Sequence, residues 1–245
     1  MSWVGSTRGY DGDMKMSCII CAHNEAPRIA AVLTAATGHS LVDEIIVVDD
    51  ASTDDTTQVV KRFPKVTLIS LPKNIGKSHA MVHGLRVSRG DTIMLLDADL
   101  ANITEHDISA LATPVLSGQV DVSISLRKNA YAIHHFIGLD FTSGERVIPR
   151  WLLGNVLHEI EHLPRFGIES YMNSLIIKKQ LRVAVVRWRE VTHMRKAEKH
   201  GFISGTLSDL SMSLDVLRVL SPVGIIRQNY HLLQLARPRA EVSAT

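Results

Sequence analysis

The segment Thr92-Ile93-Met94-Leu95-Leu96-Asp97-Ala98-Asp99-Leu100 constrains this chain more than any other, because an apolar run ends in two carboxylates one residue apart. Ile93 to Leu96 reads as a strand buried on both faces, as in parallel sheets covered by helices. Aspartates at its carboxyl end then lie at the edge where open α/β sheets bind ligands. Two such charges repel unless a cation joins them, and their hard oxygens suit Mg²⁺ or Mn²⁺ carrying a diphosphate. A solvated turn is the plainer account of an isolated Asp-x-Asp, so the surrounding pattern decides.

That pattern alternates strand and helix. Met16–Cys21 predicts a first strand, followed by Ala22-His23-Asn24-Glu25 and a helix from about Arg28 to Thr37. Glu44–Val48 predicts a second, ending in Asp49-Asp50-Ala51-Ser52-Thr53-Asp54-Asp55-Thr56, where Ser52 or Thr53 is expected to cap a helix with acids in its first turn. Val66–Leu71 predicts a third, leading through Asn74-Ile75-Gly76-Lys77-Ser78 into a helix to about Ser88, and Arg89-Gly90-Asp91 turns into the Asp97 strand. The implied class is α/β, a mostly parallel, doubly wound sheet with right-handed crossovers. The polar clusters at 22–25, 49–54 and 97–99 then fall at carboxyl ends of neighbouring strands and converge on one crevice.

Ala22-His23-Asn24-Glu25, Val47-Val48-Asp49-Asp50-Ala51-Ser52-Thr53-Asp54, Asn74-x-Gly76-Lys77 and Gly90-Asp91 before Asp97-Ala98-Asp99 follow in that order over about the first hundred residues. In this combination the chain resembles the family 2 glycosyltransferases, whose nucleotide-sugar-binding fold is Rossmann-like and called GT-A, with a helical acceptor side. Beyond about Ser125 the likeness thins, although Ser143-Gly144-Glu145-Arg146, Phe166-Gly167-Ile168-Glu169 and His193 still align with positions used in the family.

The resemblance implies transfer of a sugar from a nucleotide-diphosphate sugar, UDP-sugar before GDP-sugar, with Mg²⁺ or Mn²⁺ stabilising the leaving diphosphate. Inversion is the favoured outcome; a retaining relative that makes small glycosylated acids is the alternative. Ala22, Asn24, Glu25 and Asp50 are implied on the nucleoside side, and Lys77 as a point cation near nucleotide or phosphate. Asp97 is placed near the ribose or the metal's waters, with Ala98 beside it. Asp99 is placed as direct metal ligand, completed by His193 as neutral imidazole. Glu169 stands where inverting relatives carry a general base. Its neighbour is Ser170 rather than a second acid, which suits an acceptor that is already anionic, such as a polyprenyl phosphate. Arg127, and with it Arg146, is a candidate for the donor diphosphate or an acceptor phosphate. Each has a structural alternative: Glu25 as a helix-start carboxylate, Asp50 as a cap, Lys77 and both arginines as solvated cations, and His193 as a surface residue among twelve histidines.

Other motifs fall short. His158-Glu159-Ile160-Glu161-His162 fits the zinc-protease helix pattern, but Arg165 and Ile168 stand where its extended form needs Gly and His, and Pro164 ends the helix. A helix with Leu153, Val156, Leu157 and Ile160 inward is the simpler account. Leu71 replaces the first glycine of a P-loop ending in Gly76-Lys77-Ser78. Cys18 and Cys21 fall within a strand on opposite faces, which predicts two buried free thiols in a reducing compartment. Rivals from other classes are a nucleotidyltransferase forming sugar nucleotides, which would carry a Gly- and Arg-rich loop after the first strand, and a non-catalytic nucleotide-sugar-binding protein.

The chain's 245 residues, 45% of them hydrophobic, suffice for one substantial α/β core. Residues 1–13 are expected to be a loose extension, 14–126 the donor half and 127–245 the acceptor half of the same domain. A formal charge of +2 carries no nucleic-acid signature. No run of eighteen apolar residues predicts a membrane span, so a cytoplasmic protein is expected, with peripheral contact at the inner face of a membrane left open. Leu207, Leu210, Leu214, Leu217 and Leu220 form a helical stripe ended by Pro222, with core packing, a homodimer seam and membrane docking as its alternative uses.

Overall fold

The computed structural model describes residues 14–164, 167–193 and 222–236. The expected N-terminal extension and the Leu207–Leu220 stripe lie outside the described residues. In chain order the described elements are β1 (Met16–Ala22), α1 (Ile29–Ala36), β2 (Glu44–Asp49), α2 (Thr56–Val60), β3 (Val66–Ser70), α3 (Lys77–Val87), β4 (Thr92–Asp97), β5 (Leu100–Ala101) and α4 (Glu105–Leu116). They continue with β6 (Val122–Arg127), α5 (Ala132–Ile137), β7 (Arg146–Pro149), α6 (Arg150–Gly154), α7 (Leu157–Glu161), α8 (Ile168–Lys178), β8 (Val183–Trp188), β9 (Thr192–His193) and α9 (Pro222–Leu235).

Seven strands form one sheet in the order β3-β2-β1-β4-β7-β6-β8. All pair in parallel except β7, which runs against β4 and β6. The expected mostly parallel, GT-A-like α/β sheet is therefore present. Side chains alternate across it as strand pleating requires. Cys18, Ile20, Val47, Met94 and Leu96 point toward α1 and α4. Ile19, Ile46, Val48, Ile93 and Leu95 point toward α3, α6, α7 and α8. Burial on both faces explains why these strands read as continuous apolar runs.

Close packing accounts for two glycines. A Cβ on Gly84 of α3 would lie 2.6 Å from Ile19 Cγ2, and one on Gly90 would lie 2.6 Å from the Ser17 backbone nitrogen.

Two local expectations need correction. The helix after β2 starts at Thr56, and neither Ser52 nor Thr53 caps it. Both are engaged by Asn24 instead, whose N–H donates to Ser52 Oγ at 2.9 Å and whose Oδ1 accepts from Thr53 N–H at 2.8 Å. Pro222 is the first described residue of α9, and the stripe it was expected to end lies outside the described residues. Cys21 is half-buried, not buried like Cys18. Burial pushes both thiols up to about 12. The His158/His162 pair behaves as the simpler account requires, with Leu153 and Ile160 buried and both rings at the surface side of α7, 4.4 Å apart. No helix among the described residues is long and apolar enough to cross a membrane.

Candidate active site

The parallel order β2-β1-β4 brings the carboxyl ends of these three strands side by side. Asp50 follows β2, Ala22 ends β1 and Asp97 ends β4. Lys77, Asp97, Asp50 and Glu169 all lie close enough to act electrostatically on the Cys21 thiol, so these four side chains gather at one edge of the sheet.

The turn after β2 is held by its own side chains. Asp49 accepts from Ser52 N–H at 3.2 Å, and Ala51 adopts φ 57°, a left-handed conformation that costs a non-glycine residue about 1 kcal/mol. Asp50 N–H donates to Ala22 O at 2.8 Å, which ties the ends of β1 and β2 together. The Asp50 carboxylate is buried and accepts from Ile75 N–H at 2.7 Å and Gly76 N–H at 2.8 Å. Gly76 has φ 91°, which glycine alone adopts cheaply, and it leads directly into α3. Asp50 thus fixes the loop that presents Lys77. Glu25 pairs with Arg28 at 2.7 Å, the helix-start arrangement raised from the sequence.

Lys77 is not a solvated lysine. Its Nζ lies 2.6 Å from Asp97 Oδ1 and 2.8 Å from Glu169 Oε1. Burial works against the ammonium, yet Asp97 and then Glu169 hold its pKa well above the ordinary lysine range. Asp97 is held well below the usual carboxylate range, since Lys77 and then Arg127 outweigh its burial. Gly144 closes over this pair: a Cβ there would meet Asp97 Oδ1 at 2.5 Å and Lys77 Nζ at 2.6 Å.

Behind Asp97 lies a network that pattern reading did not find. Arg127 is 7% exposed, with Nη1 donating to Glu145 Oε1 at 3.0 Å and Nη2 reaching Asp140 Oδ2 at 3.4 Å. The same guanidinium stands 3.8 Å from Asp97. Burial would weaken its charge, but Glu145, Asp97 and Asp140 raise its pKa. Glu145 also accepts from Ser125 and Ser143 hydroxyls at 2.8 and 2.7 Å. Arg127 is therefore a buried strut, braced by two acids against Asp97. Arg146 does not face the crevice at all. It is fully buried and donates to Ser143 O, Asn173 Oδ1 and Phe141 O, so it is closed to a phosphate.

Asp99 and His193 come together through β5 and β9. Leu100 pairs with His193, which sets the imidazole beside the residue that follows Asp99. Burial and the Arg127 charge lower the His193 pKa, against the pull of Asp99 and Asp97. The imidazole is thus neutral at pH 7, the form that ligates metals. Its Nδ1 is buried without a hydrogen-bond partner, an orphan that a metal would satisfy. Among the described residues no three His, Cys, Asp or Glu side chains form a ready-made cage. A carboxylate oxygen and a neutral imidazole are a donor set that suits Mn²⁺ or Mg²⁺, ions commonly held by one or two carboxylates together with substrate phosphates.

Comparison with known proteins bears on the family and the fold. The dolichyl-phosphate beta-glucosyltransferase ALG5C of Trichomonas vaginalis is 26% identical over 82% of this chain and 69% of its own length. Glucosyl-3-phosphoglycerate synthase of Mycobacterium tuberculosis is 30% identical over 52% of this chain and 41% of its own length, so the chain spans less than half of that relative. A crystal structure of the mycobacterial synthase with Mn²⁺, uridine diphosphate and glucosyl-3-phosphoglycerate superposes with a TM-score of 0.66 at 23% identity, covering 86% of this chain and 81% of that one. At that identity the likeness shows a shared fold. The family model described as "Glycosyl transferase family 2" matches residues 17–160, more than half of the sequence, and the chain belongs to that family.

Proposed function

We propose that this protein transfers a sugar from a UDP-sugar, with Mn²⁺ or Mg²⁺, to an acceptor that carries a phosphate. The observation that carries this reading is the Asp97–Lys77–Glu169 bridge beside the Asp99/His193 pair. It sets a cation between the metal side of the crevice and the side where an acceptor would stand. The two relatives described above are named for phosphate-bearing acceptors, dolichyl phosphate and phosphoglycerate. UDP is supported as the leaving group by the mycobacterial structure that holds it.

Residues 14–126 would hold the donor and residues 127–245 the acceptor. Ala22, Asn24, Glu25 and Asp50 would line the nucleoside side, with Asp50 acting chiefly by holding the Gly76-Lys77 loop. Asp99 and His193 would hold the metal, whose contribution when bound is to neutralise charge building on the leaving diphosphate. Asp97, with Ala98 beside it, would orient the ribose or the metal's waters, fixed by Lys77 and Arg127. Lys77 would offer a second positive point to the diphosphate as the glycosidic C–O bond lengthens. Glu169, paired with Lys77, is suited to orienting an acceptor. Where the acceptor's phosphate oxygen is itself the nucleophile, as in a polyprenyl phosphate, attack needs no base, which agrees with Ser170 in place of a second acid; a hydroxyl acceptor would hand its proton to Glu169. In-line attack opposite the diphosphate inverts the anomeric carbon.

The test is incubation of the full chain with UDP-glucose and Mn²⁺ plus either a polyprenyl phosphate or 3-phosphoglycerate, read by mass spectrometry and by anomeric coupling in NMR. A glycosylated phosphate-bearing product with inverted configuration, lost in Asp99→Ala, is expected. Binding of UDP-glucose without hydrolysis or transfer to either acceptor would favour the non-catalytic binder. Pyrophosphate release from UTP and a sugar phosphate would favour the nucleotidyltransferase.

A further inference from the structure

The helix α9 has two faces of different character. Gln228 and Leu232 point inward and are buried. Gln228 Nε2 donates to Ser170 O at 3.0 Å and Ser174 Oγ at 2.9 Å, and its Oε1 accepts from Asn173 Nδ2 at 3.3 Å. These bonds lay α9 across α8, the helix that begins beside Glu169. On the opposite side Val223, Ile226 and Tyr230 are 74, 71 and 60% exposed, followed by Leu233 at 36%. Steps of three, four and three residues align them on one stripe. Exposed Arg227 borders that stripe.

We propose that this outward face of α9 seats the protein on an anionic lipid surface. Charge favours that occupant. From Pro222 to Leu235 α9 has no Asp or Glu and carries Arg227 and His231, in a chain otherwise nearly balanced at 27 basic and 25 acidic residues. An apolar stripe bordered by arginine is the composition of helices that lie in the headgroup region, apolar face down.

A second copy of the chain fits less well. Fourteen residues make a helix about 21 Å long. Four side chains on it offer on the order of 300 Å², against roughly 800 Å² per partner in a stable interface. A two-fold axis through the stripe would also bring Arg227 toward its own copy.

Docking deepens the reading given above in one respect, and only this step rests on it. With α9 on the surface, α8 and Glu169 sit one helix layer away, roughly 8–10 Å. Docking would then hold the α8 side of the molecule at a membrane that carries the phosphate of a lipid acceptor.

Flotation of the full chain with vesicles tests the proposal, using phosphatidylcholine alone or mixed with phosphatidylserine. The wild type should float with the mixed vesicles, weakly with neutral ones, and less as salt rises. Ile226→Glu combined with Leu233→Glu should lower partitioning at least tenfold, and Ile226→Leu should leave it unchanged. Arg227→Gln, on a solvated side chain where folding is not at issue, should lower it about fivefold, the effect of one arginine near an anionic surface.

A UDP-induced thermal shift that persists in all variants separates a lost surface from a lost fold, and its absence in the wild type would count against the donor reading while leaving flotation to decide docking. No flotation of the wild type, or flotation unchanged by both the double substitution and Arg227→Gln, overturns the proposal. So does a wild-type dimer in sedimentation that the double variant dissolves, which would assign the stripe to a second copy. Flotation retained by the double variant because the chain's own Leu207–Leu220 stretch binds instead also overturns it.

Discussion

Lys77 and Asp97 meet at 2.6 Å, and the same ammonium reaches Glu169 at 2.8 Å. One cation therefore joins the carboxylate that ends β4 to the one that begins α8. The pair is partly shielded from water, with side-chain exposures of 23% and 22%, so its charges interact more strongly than a surface pair.

Replacing Lys77 by Met keeps the stem and removes the charge. Glu169 then loses its cation, and Asp97 keeps only the Arg127 guanidinium at 3.8 Å. Transfer should fall roughly 100-fold, the usual cost of losing one preorganised charge donor, and stability by about 1–3 kcal/mol. Lys77→Arg should not restore full activity, because a planar fork cannot replace a compact ammonium between two carboxylates. Steady-state kinetics and urea melts of both variants decide this. Activity within twofold of wild type in Lys77→Met would remove Lys77 from the mechanism.

Gly144 offers a test through space alone. A methyl at this position would lie 2.5 Å from Asp97 Oδ1 and 2.6 Å from Lys77 Nζ. Real side chains do not tolerate such contacts, so Gly144→Ala should force the ion pair apart. We expect kcat/KM to drop at least tenfold, while the melting temperature changes little because the neighbouring charged atoms end side chains that can shift. Wild-type kinetics in Gly144→Ala would mean that the Asp97–Lys77 contact is not needed for turnover.

Much of this arrangement was legible in the chain, and the boundary is physical. Strands buried on both faces announce themselves by unbroken apolar runs, so β1, β2 and β4 and the acids at their ends could be placed from sequence. Gly76 and Gly90 carried a signal because their backbones need glycine. The bracing of Arg127 by Asp140 and Glu145 gave no such sign. Those acids are 13 and 18 residues away along the chain, on a loop and just before β7, and no periodicity relates them. Arg146 misled for the same reason: a bidentate guanidinium looks like a phosphate ligand until its three buried acceptors are seen. The α2 cap failed because Asn24, from another turn, took Ser52 and Thr53 first.

Asp99 and His193 should behave as one metal site. Chelation with EDTA is expected to abolish transfer, and added Mn²⁺ to restore it. His193→Ala should raise the Mn²⁺ concentration needed for half-maximal activity roughly tenfold or more, as loss of a ligand or its support does. The same shift should appear in Mn²⁺ binding followed by electron paramagnetic resonance with UDP present. An unchanged Mn²⁺ titration in His193→Ala would leave that histidine as a buried residue with no metal role.

The buried network gives stability a pH dependence of known sign. Burial tends to raise the Asp140 pKa, but the His134 imidazole 3.1 Å away and the charge of Arg127 together hold it well below the usual carboxylate range. Its contribution to stability is therefore complete above about pH 4, the unfolded value, and drains away as the pH falls through the depressed folded one. Glu145 has the opposite sign, since burial raises its pKa despite Arg127. The folded state holds its proton more tightly than the unfolded chain, so its ionisation weakens the fold as pH rises. Asp140→Asn should then cost about 3 kcal/mol at pH 7, by leaving Arg127 short of a buried partner, and Glu145→Gln clearly less. Below about pH 4 the loss of stability should be shallower in Asp140→Asn than in the wild type. Urea unfolding of the three proteins across acid to neutral pH measures both effects. Equal costs for the two substitutions at pH 7, or parallel acid limbs for Asp140→Asn and wild type, would show that Asp140 does not carry the charge bracing Arg127 behind Asp97.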